Sequence, residues 1–290
     1  MTTTTPPPHH SANEWALERH VYEPHTVGLP PIGQYLREVW RRREFALELS
    51  RTKLRAQQSQ TVFGVIWLVL NPLLLAGVYF ILIDIVRGGR RPPDFFAHLT
   101  ACIFAYYLIS GSIRDGVKSV VRGGKLILNS AFPRMLLPLS SVIVAFKRFL
   151  PTVIVYIPIH LISGLPINLT LLWVFPLIGL LLMVATGFSL LVAVVQVYFR
   201  DLASFLPYAL RVMLYTAPIL YTADRVPGGY KFLLDINPIG QLLTAWNQVL
   251  HDGHAPGLKS LAIGGAWAVG SLLVGAFAFM SRERELAVRI

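Results

Sequence analysis

The chain is poor in the residues that most soluble and catalytic proteins rely on. It holds one cysteine, Cys102, which excludes an internal disulfide and any cysteine-based metal site. Charged residues make up 14% of its 290 positions, well below the ~25% of an ordinary soluble domain. None of its six lysines completes G-x-x-x-x-G-K-[ST], because Gly123-Gly124-Lys125 runs on into Leu126. ATP hydrolysis through a phosphate-cradling loop of that kind is therefore excluded. G-x-S-x-G, H-E-x-x-H and clustered-aspartate patterns are absent as well. Acidic residues stand singly at the edges of apolar runs (Asp84, Asp94, Asp115, Asp201). An ion-coupled carrier is expected to keep a carboxylate deep in the membrane, and none is evident. Residues 1–30 have no apolar run, so no cleavable signal is expected there. That Thr/Pro-rich opening reads as a disordered cytoplasmic tail, with His9-His10 an incidental feature of it. No 20–50-residue repeat is visible.

What the chain has in abundance is apolar surface. Residues of that kind make up 54% of it, and its mean hydropathy is +0.56. So much hydrophobic sequence does not fit one soluble core, and the expected fold is an all-α integral membrane protein. Six spans are expected: 62–86, 95–113, one within 135–163, 171–199, 202–221 and 261–280, at ~20 residues per crossing. The transmembrane region runs over 62–280, and 281–290 forms a short charged tail. Ahead of the first span, 34–58 reads as an amphipathic helix at the membrane surface, with Leu36, Val39, Trp40, Leu47 and Leu54 on one face. A plain solvated or packed helix is the alternative there. The net charge of +11 fits cytoplasmic loops and anionic lipid better than nucleic acid in such a chain. With the intramembrane cations set aside, Lys and Arg divide 17 to 6 in favour of the segments on the side of the termini. Cytoplasmic termini follow from the positive-inside rule.

Three cations break the apolar runs: Lys147 and Arg148 in the third span and Arg211 in the fifth. Each costs about 2.5–3.5 kcal/mol at the bilayer centre on insertion scales. They either face a cavity that holds an anionic group such as a phosphate, or snorkel to the interface. Aromatic residues are frequent in the spans, among them Trp67, Tyr79, Tyr106, Tyr107, Tyr208 and Tyr215. They suit interface anchoring or helix packing, and a row of them along a path would also suit the apolar C–H faces and hydroxyls of a sugar chain. Two segments read as docking elements or ordinary loops. In 120–138 a Gly-Gly break precedes a short amphipathic stretch closed by Phe132-Pro133, and Phe199-Arg200-Asp201-Leu202 forms a tight charged turn. His251 and His254 flank Asp252-Gly253 as part of a polar turn, without a third metal ligand.

Four ordered stretches resemble the membrane subunit of ABC-2-type polysaccharide exporters, of the Wzm and teichoic-acid-exporter kind. They are KLILNSAFPRMLLP at 125–138, YFRDL at 198–202, APILYTADRVPGGYKFLLDINPIGQL at 217–242 and SRERELAVRI at 281–290. The resemblance covers residues 34–290. Each stretch alone is weak, and their order and spacing together are specific. Trp246-Asn247 stands where the family pattern leads one to expect an arginine, further along the segment that follows Asn237-Pro238.

The resemblance implies a permease subunit, with no enzymatic site of its own, in an ATP-driven exporter. A polyprenyl-diphosphate-linked glycan such as a galactan or an O-antigen would move outward across a bacterial plasma membrane. A second copy of the chain, two copies of an ATPase subunit that binds ATP and Mg, membrane lipid and the glycan are the implied partners. Coupling to the ATPase is expected through Arg122, Lys125, Asn129, Phe132, Pro133, Arg134, Arg200 and Asp201. External gate helices are expected between spans five and six, with Asn237, Pro238 and Trp246 at the gate. The alternatives are an ABC-2 exporter of drugs or small lipids and a membrane enzyme acting on polyprenyl-phosphate lipids. The enzyme would need clustered acids or a nucleophile–base pair, which the sequence does not show.

Overall fold

The computed structural model describes residues 31–58, 64–90, 92–129 and 132–289. The tail expected over 1–30, the first residues of span one and the side chain of Lys125 lie outside them. All the regular elements described are helical. α1 (Ile32–Arg41) and α2 (Arg43–Gln58) precede α3 (Ile66–Val86) and α4 (Phe95–Val117). The short helices α5 (Ser119–Arg122) and α6 (Gly124–Asn129) lead to α7 (Leu136–Ile162), and a 3-10 turn at Leu169–Trp173 leads to α8 (Val174–Tyr198). Then come α9 (Leu202–Thr216), α10 (Phe232–Ile236), α11 (Gly240–Leu250) and α12 (Leu258–Arg289). Among the described residues, five helices are long and apolar enough to cross a membrane: Ile66–Val86, Phe95–Val117, Leu136–Ile162, Leu169–Tyr198 and Leu258–Glu283.

The bundle is organised around α4. Its alanine, serine and glycine positions let α3, α7, α8, α9 and α11 approach it on several sides, and most of its residues are buried. A Cβ placed on Gly116 would meet Ser189 Oγ at 2.0 Å, and one on Gly187 of α8 would meet the Ser271 backbone of α12 at 2.3 Å. In lipid, where no hydrophobic force drives helices together, such small-residue contacts supply the van der Waals packing that holds spans in place. Pro72, Pro151 and Pro158 lie inside α3 and α7. Such breaks in the helical ladder are tolerated in membrane spans because neighbouring groups satisfy the freed carbonyls.

Three expectations change. The surface helix is not continuous: at Arg42, which pairs with Glu38 at 3.0 Å, the chain turns and restarts as α2. The predicted apolar residues Leu36, Trp40 and Leu47 remain exposed, whereas Ala46 and Ser50 pack against the bundle. The segment expected as span five, 202–221, yields a helix of only 15 residues. At 1.5 Å per residue that is about 22 Å, short of the ~30 Å hydrocarbon layer. Pro218 cannot continue the helix, and Ala217, Pro218 and Ile219 run on as buried non-helical chain. The tail after residue 280 is not a separate element either, because α12 continues through it to Arg289.

Candidate functional site

The cations and aromatic rings of the bundle gather in two groups. At the end bearing α2, α5 and α6, a cleft of about 570 Å³ is lined by Lys53, Arg122, Asp115, Ser119 and Ser141. Lys53 donates to Ser140 Oγ at 2.8 Å. Burial lowers its ammonium pKa to about 8, against the pull of Asp115. Gln57 and Asp115 also line an adjoining cavity of about 250 Å³, together with Trp67, Tyr107, Arg114 and Arg148. The two spaces thus meet around a single carboxylate. Arg148 Nη1 pairs with Asp115 Oδ2 at 3.0 Å. It also donates through Nη2 to Gln57 Oε1.

The second group is aromatic. Tyr79 of α3 and Tyr215 of α9 touch edge to face, with ring centroids 6.4 Å apart and their hydroxyls at 3.4 Å. Tyr106 donates to the Leu210 carbonyl at 2.9 Å and stands edge-on to Tyr107. Arg211 lies within electrostatic range of Tyr79 and Tyr106. Tyr208, Arg211 and Tyr215 are exposed on the outer face of α9, with Tyr208 at 64%. Of the residues expected to line a path, Trp67, Tyr107 and Arg148 share a cavity, while Tyr79, Tyr106, Tyr215 and Arg211 form a second group. Lys147 stands apart and donates to Ser50 Oγ of α2 at 2.7 Å. The sequence offered a cavity or snorkelling for Lys147 and Arg148. In the fold both also fasten α2 to α7, through partners more than 90 residues away.

The two segments read as docking elements or ordinary loops sit at the end that bears α2. Arg122 and Asn129 are exposed on α5 and α6, Phe132 packs its ring on Phe45 of α2 at 4.8 Å, and Pro133 is buried. Arg134 is turned inward: its backbone N–H donates to Glu283 Oε1 at 2.6 Å. The Arg200-Asp201 turn is fixed by Gln196 Nε2 donating to the Arg200 carbonyl at 2.8 Å, and both charged residues are exposed. Beside it, Tyr198 donates to Glu285 Oε2 at 2.6 Å, and Arg289 stacks 4.7 Å over its ring.

At the opposite end, α10 and α11 form a cap over the bundle. Asn237 Nδ2 donates to the Met213 carbonyl at 2.8 Å and to Thr216 Oγ1 at 2.7 Å, while its Oδ1 accepts from Ile239 N at 3.0 Å. This one side chain therefore ends α9 and begins α11, and Pro238 follows it. Trp246 is buried in the main core. Asn247 accepts from Cys102 Sγ at 3.1 Å and donates to the Pro218 carbonyl at 3.4 Å, which binds α11 to α4 and to the non-helical strap. His251 closes α11 by bonding Asp94 at 2.8 Å. Its pKa is raised first by Asp252 and then by Asp94, against burial. Sequence reading missed Lys53, Gln57, Asp115 and this His251 pairing, since each depends on a contact distant along the chain.

No family model matches the chain. Curated relatives do. An O-antigen export system permease protein RfbA of Klebsiella pneumoniae is 27% identical over 206 residues, 71% of this chain and 79% of the relative. A second of that name and organism is 26% identical over the same shares. An O-antigen export system permease protein RfbA of Myxococcus xanthus is 24% identical over 261 residues, 88% of this chain and 98% of its own length. The chain carries apolar helices suited to crossing a membrane, and over most of its length it is similar to these O-antigen export permeases.

Proposed function

We propose that the chain is the membrane half of an ATP-driven exporter that moves a polyprenyl-diphosphate-linked polysaccharide out of the cytoplasm. The observation that carries this reading is the exposed Arg211 on α9, set among Tyr208, Tyr215 and Tyr79. Lipid tails do not solvate a guanidinium, so this face is expected to meet either a polar path or another protein surface. A second copy turned toward it would enclose a channel of hydroxyls, rings and fixed positive charge. Such a lining suits a long sugar chain, whose hydroxyls bond to phenols and whose C–H faces pack on rings.

The remaining assignments follow from that arrangement. α9, with the polar cap above it, acts as the fifth of six crossings, and the excess of Lys and Arg in the segments on the side of the termini supports cytoplasmic termini. Lys53, Arg122, Arg114 and Arg148 then surround the cytoplasmic mouth, where a diphosphate headgroup is drawn in by charge-assisted hydrogen bonds. ATP and Mg belong to a separate ATPase subunit, present in two copies, which docks beneath α5, α6 and the Arg200-Asp201 turn. α10 and α11 gate the outer end at Asn237 and Pro238. Galactan and O-antigen are both glycans of the class that fits.

The test is co-purification of the tagged chain in mild detergent, with mass spectrometry and an ATPase assay on the eluate. A stoichiometric partner with a Walker A motif, and ATPase activity that needs both chains, is the expected result. A chain that purifies without such a partner would remove the exporter reading.

A further inference from the structure

Lys147 stands outside both groups of cations and rings, at one end of an uncovered apolar stripe. Leu150, Ile154, Ile157 and Leu161 follow it at successive turns along one face of α7, and each is 46–68% exposed. The apolar exposure continues to Ile162, at 87%. α7 has 27 residues and is about 40 Å long, so about 10 Å of it exceeds the ~30 Å hydrocarbon layer. That excess lies at the other end, where Ser140 and Ser141 meet Lys53 of α2. Lys147 is about 16 Å from the first residue of the helix and hence about 6 Å inside the boundary, within reach of a lysine stem.

The ammonium has capacity to spare. It donates to Ser50 Oγ at 2.7 Å, and Ser50 passes its own proton to the Leu47 carbonyl at 2.6 Å. A lysine carries three donors, so two remain. Among the described residues no carboxylate pairs with Lys147. Arg51 and Glu48 of α2 are the charged groups within electrostatic range of it. Arg51 Nη1 bonds Glu48 Oε2 at 3.1 Å, and both side chains are exposed. The other N–H groups of Arg51 have no partner among the described residues.

Two cations against one carboxylate leave a single positive charge at the edge of the hydrocarbon layer, with a hydroxyl as its direct partner. A charge so placed is costly until an anion meets it. The stripe and the charge together select the class of ligand. A phosphodiester carries one negative charge, and a hydrocarbon chain attached to it would cover the stripe. A soluble phosphate would leave the stripe bare, and a zwitterionic headgroup would bring a further cation against Arg51. A diphosphate exceeds this balance and is better matched by Lys53, Arg122, Arg114 and Arg148.

We infer that Lys147 and Arg51 hold the headgroup phosphate of one anionic phospholipid, whose acyl chain lies along Leu150, Ile154, Ile157 and Leu161. That the lipid belongs to the cytoplasmic leaflet rests on the orientation proposed above; the chemistry of the site does not. Such a lipid would join α2 to α7 from the membrane side, beside the bond between Lys147 and Ser50.

The experiment strips the tagged full chain of lipid in mild detergent. It is then exposed to an equal, sub-saturating mixture of phosphatidylglycerol and phosphatidylcholine with matched acyl chains, and retained lipid is counted by native mass spectrometry. Preferential retention of phosphatidylglycerol is expected. Lys147→Gln and Arg51→Gln each remove the net charge and should lower that retention about fivefold, the worth of one basic residue near an anionic surface. Glu48→Gln adds a charge and should raise it. Gel filtration and Tm without added lipid identify a variant that fails to fold, and the exposed Arg51 and Glu48 decide the case if Lys147→Gln does. No preference for phosphatidylglycerol, unchanged retention in Arg51→Gln, or a loss in Glu48→Gln would each overturn the assignment. Full competition by excess inorganic phosphate would also overturn it, by making this a site for a soluble anion. Loss of a second copy of the chain in place of lipid would make the stripe a protein contact instead. Co-purification of the ATPase reads out the exporter proposal separately. A chain that recruits its ATPase without preferring phosphatidylglycerol loses only the lipid site, and the reverse result loses only the exporter.

Discussion

His251 Nε2 lies 2.8 Å from Asp94 Oδ2, so the end of the capping helix α11 is bonded to the residue that precedes α4. The other ring nitrogen, Nδ1, faces Asp252 Oδ1 at 3.1 Å. A carboxylate only accepts, so satisfying both contacts requires both ring nitrogens to carry protons, and the imidazolium is the form that fits. His98 stands edge-on beneath it, with centroids 5.7 Å apart, and Asp224, Arg87 and Arg225 line the same space.

A pH dependence follows with a definite sign. The folded pKa of His251 is raised above its ordinary value of about 6.5. Its contribution to stability is therefore fully present below about pH 6.5 and is lost as the pH rises through the folded value. Melting of the detergent-solubilised protein between pH 6 and about 7.5, below the range where the lowered Lys53 pKa acts with the opposite sign, should show a falling Tm that Asp252→Asn flattens. A variant that keeps the full slope would mean that His251 is not the group titrating.

Arg148 and Asp115 hold α7 to α4 where the two cavities meet. Both side chains are partly exposed, so the pair sits between the negligible surface case and the costly buried one. Asp115→Asn should destabilise the chain by about 1–2 kcal/mol, and Arg148→Met in the same background should add only the loss of its bond to Gln57. Fully additive losses in that double-mutant cycle would show that the two groups do not act as a pair.

Arg200 and Asp201 are exposed on a turn whose backbone is held by Gln196. Replacing both with alanine should leave the stability within about 0.5 kcal/mol of the parent. ATP hydrolysis by the assembled complex should nevertheless be uncoupled from glycan export. Unchanged export would dismiss the turn as a coupling element.

Gly187 permits the closest approach of α8 to α12, with Gly275 on the opposite helix facing the Gly187 carbonyl. Gly187→Val has only backbone to displace, and overpacking of this kind costs about 1–3 kcal/mol or more. A sharp drop in folded yield is expected, whereas Gly265→Ala, with open space around its Cβ position, should be silent. Equal yields from the two variants would contradict the packing argument.

The long apolar helices were legible because a bilayer demands continuous hydrophobic runs, and the expected 135–163 and 171–199 end within two residues of the observed Leu136–Ile162 and Leu169–Tyr198. Ala217-Pro218-Ile219 misled for the same reason: it is as apolar as a span but is buried as strap, held through Asn247 and Cys102. The break at Arg42 was hidden inside three arginines that a helix accepts readily. Trp67, Tyr107 and Arg148 were singled out as separate residues in the chain; only folding places them around one cavity. No local pattern announced Lys53 or Asp115, because their meaning comes from helices packed across a gap of some 60 residues.

The shortness of α9 bears on how the protein is made. A helix of about 22 Å that carries Arg211 is a poor candidate for independent insertion, since length and charge both disfavour it. Its retention in the bilayer would depend on α4 at its back and on whatever covers its exposed face. A copy synthesised without partners would then be the form that membrane proteases remove, and subunit balance in the cell would be set by degradation. Pulse-chase of the chain expressed alone and with its ATPase should show a several-fold longer half-life in the second case. Identical half-lives would mean that the bundle holds α9 unaided.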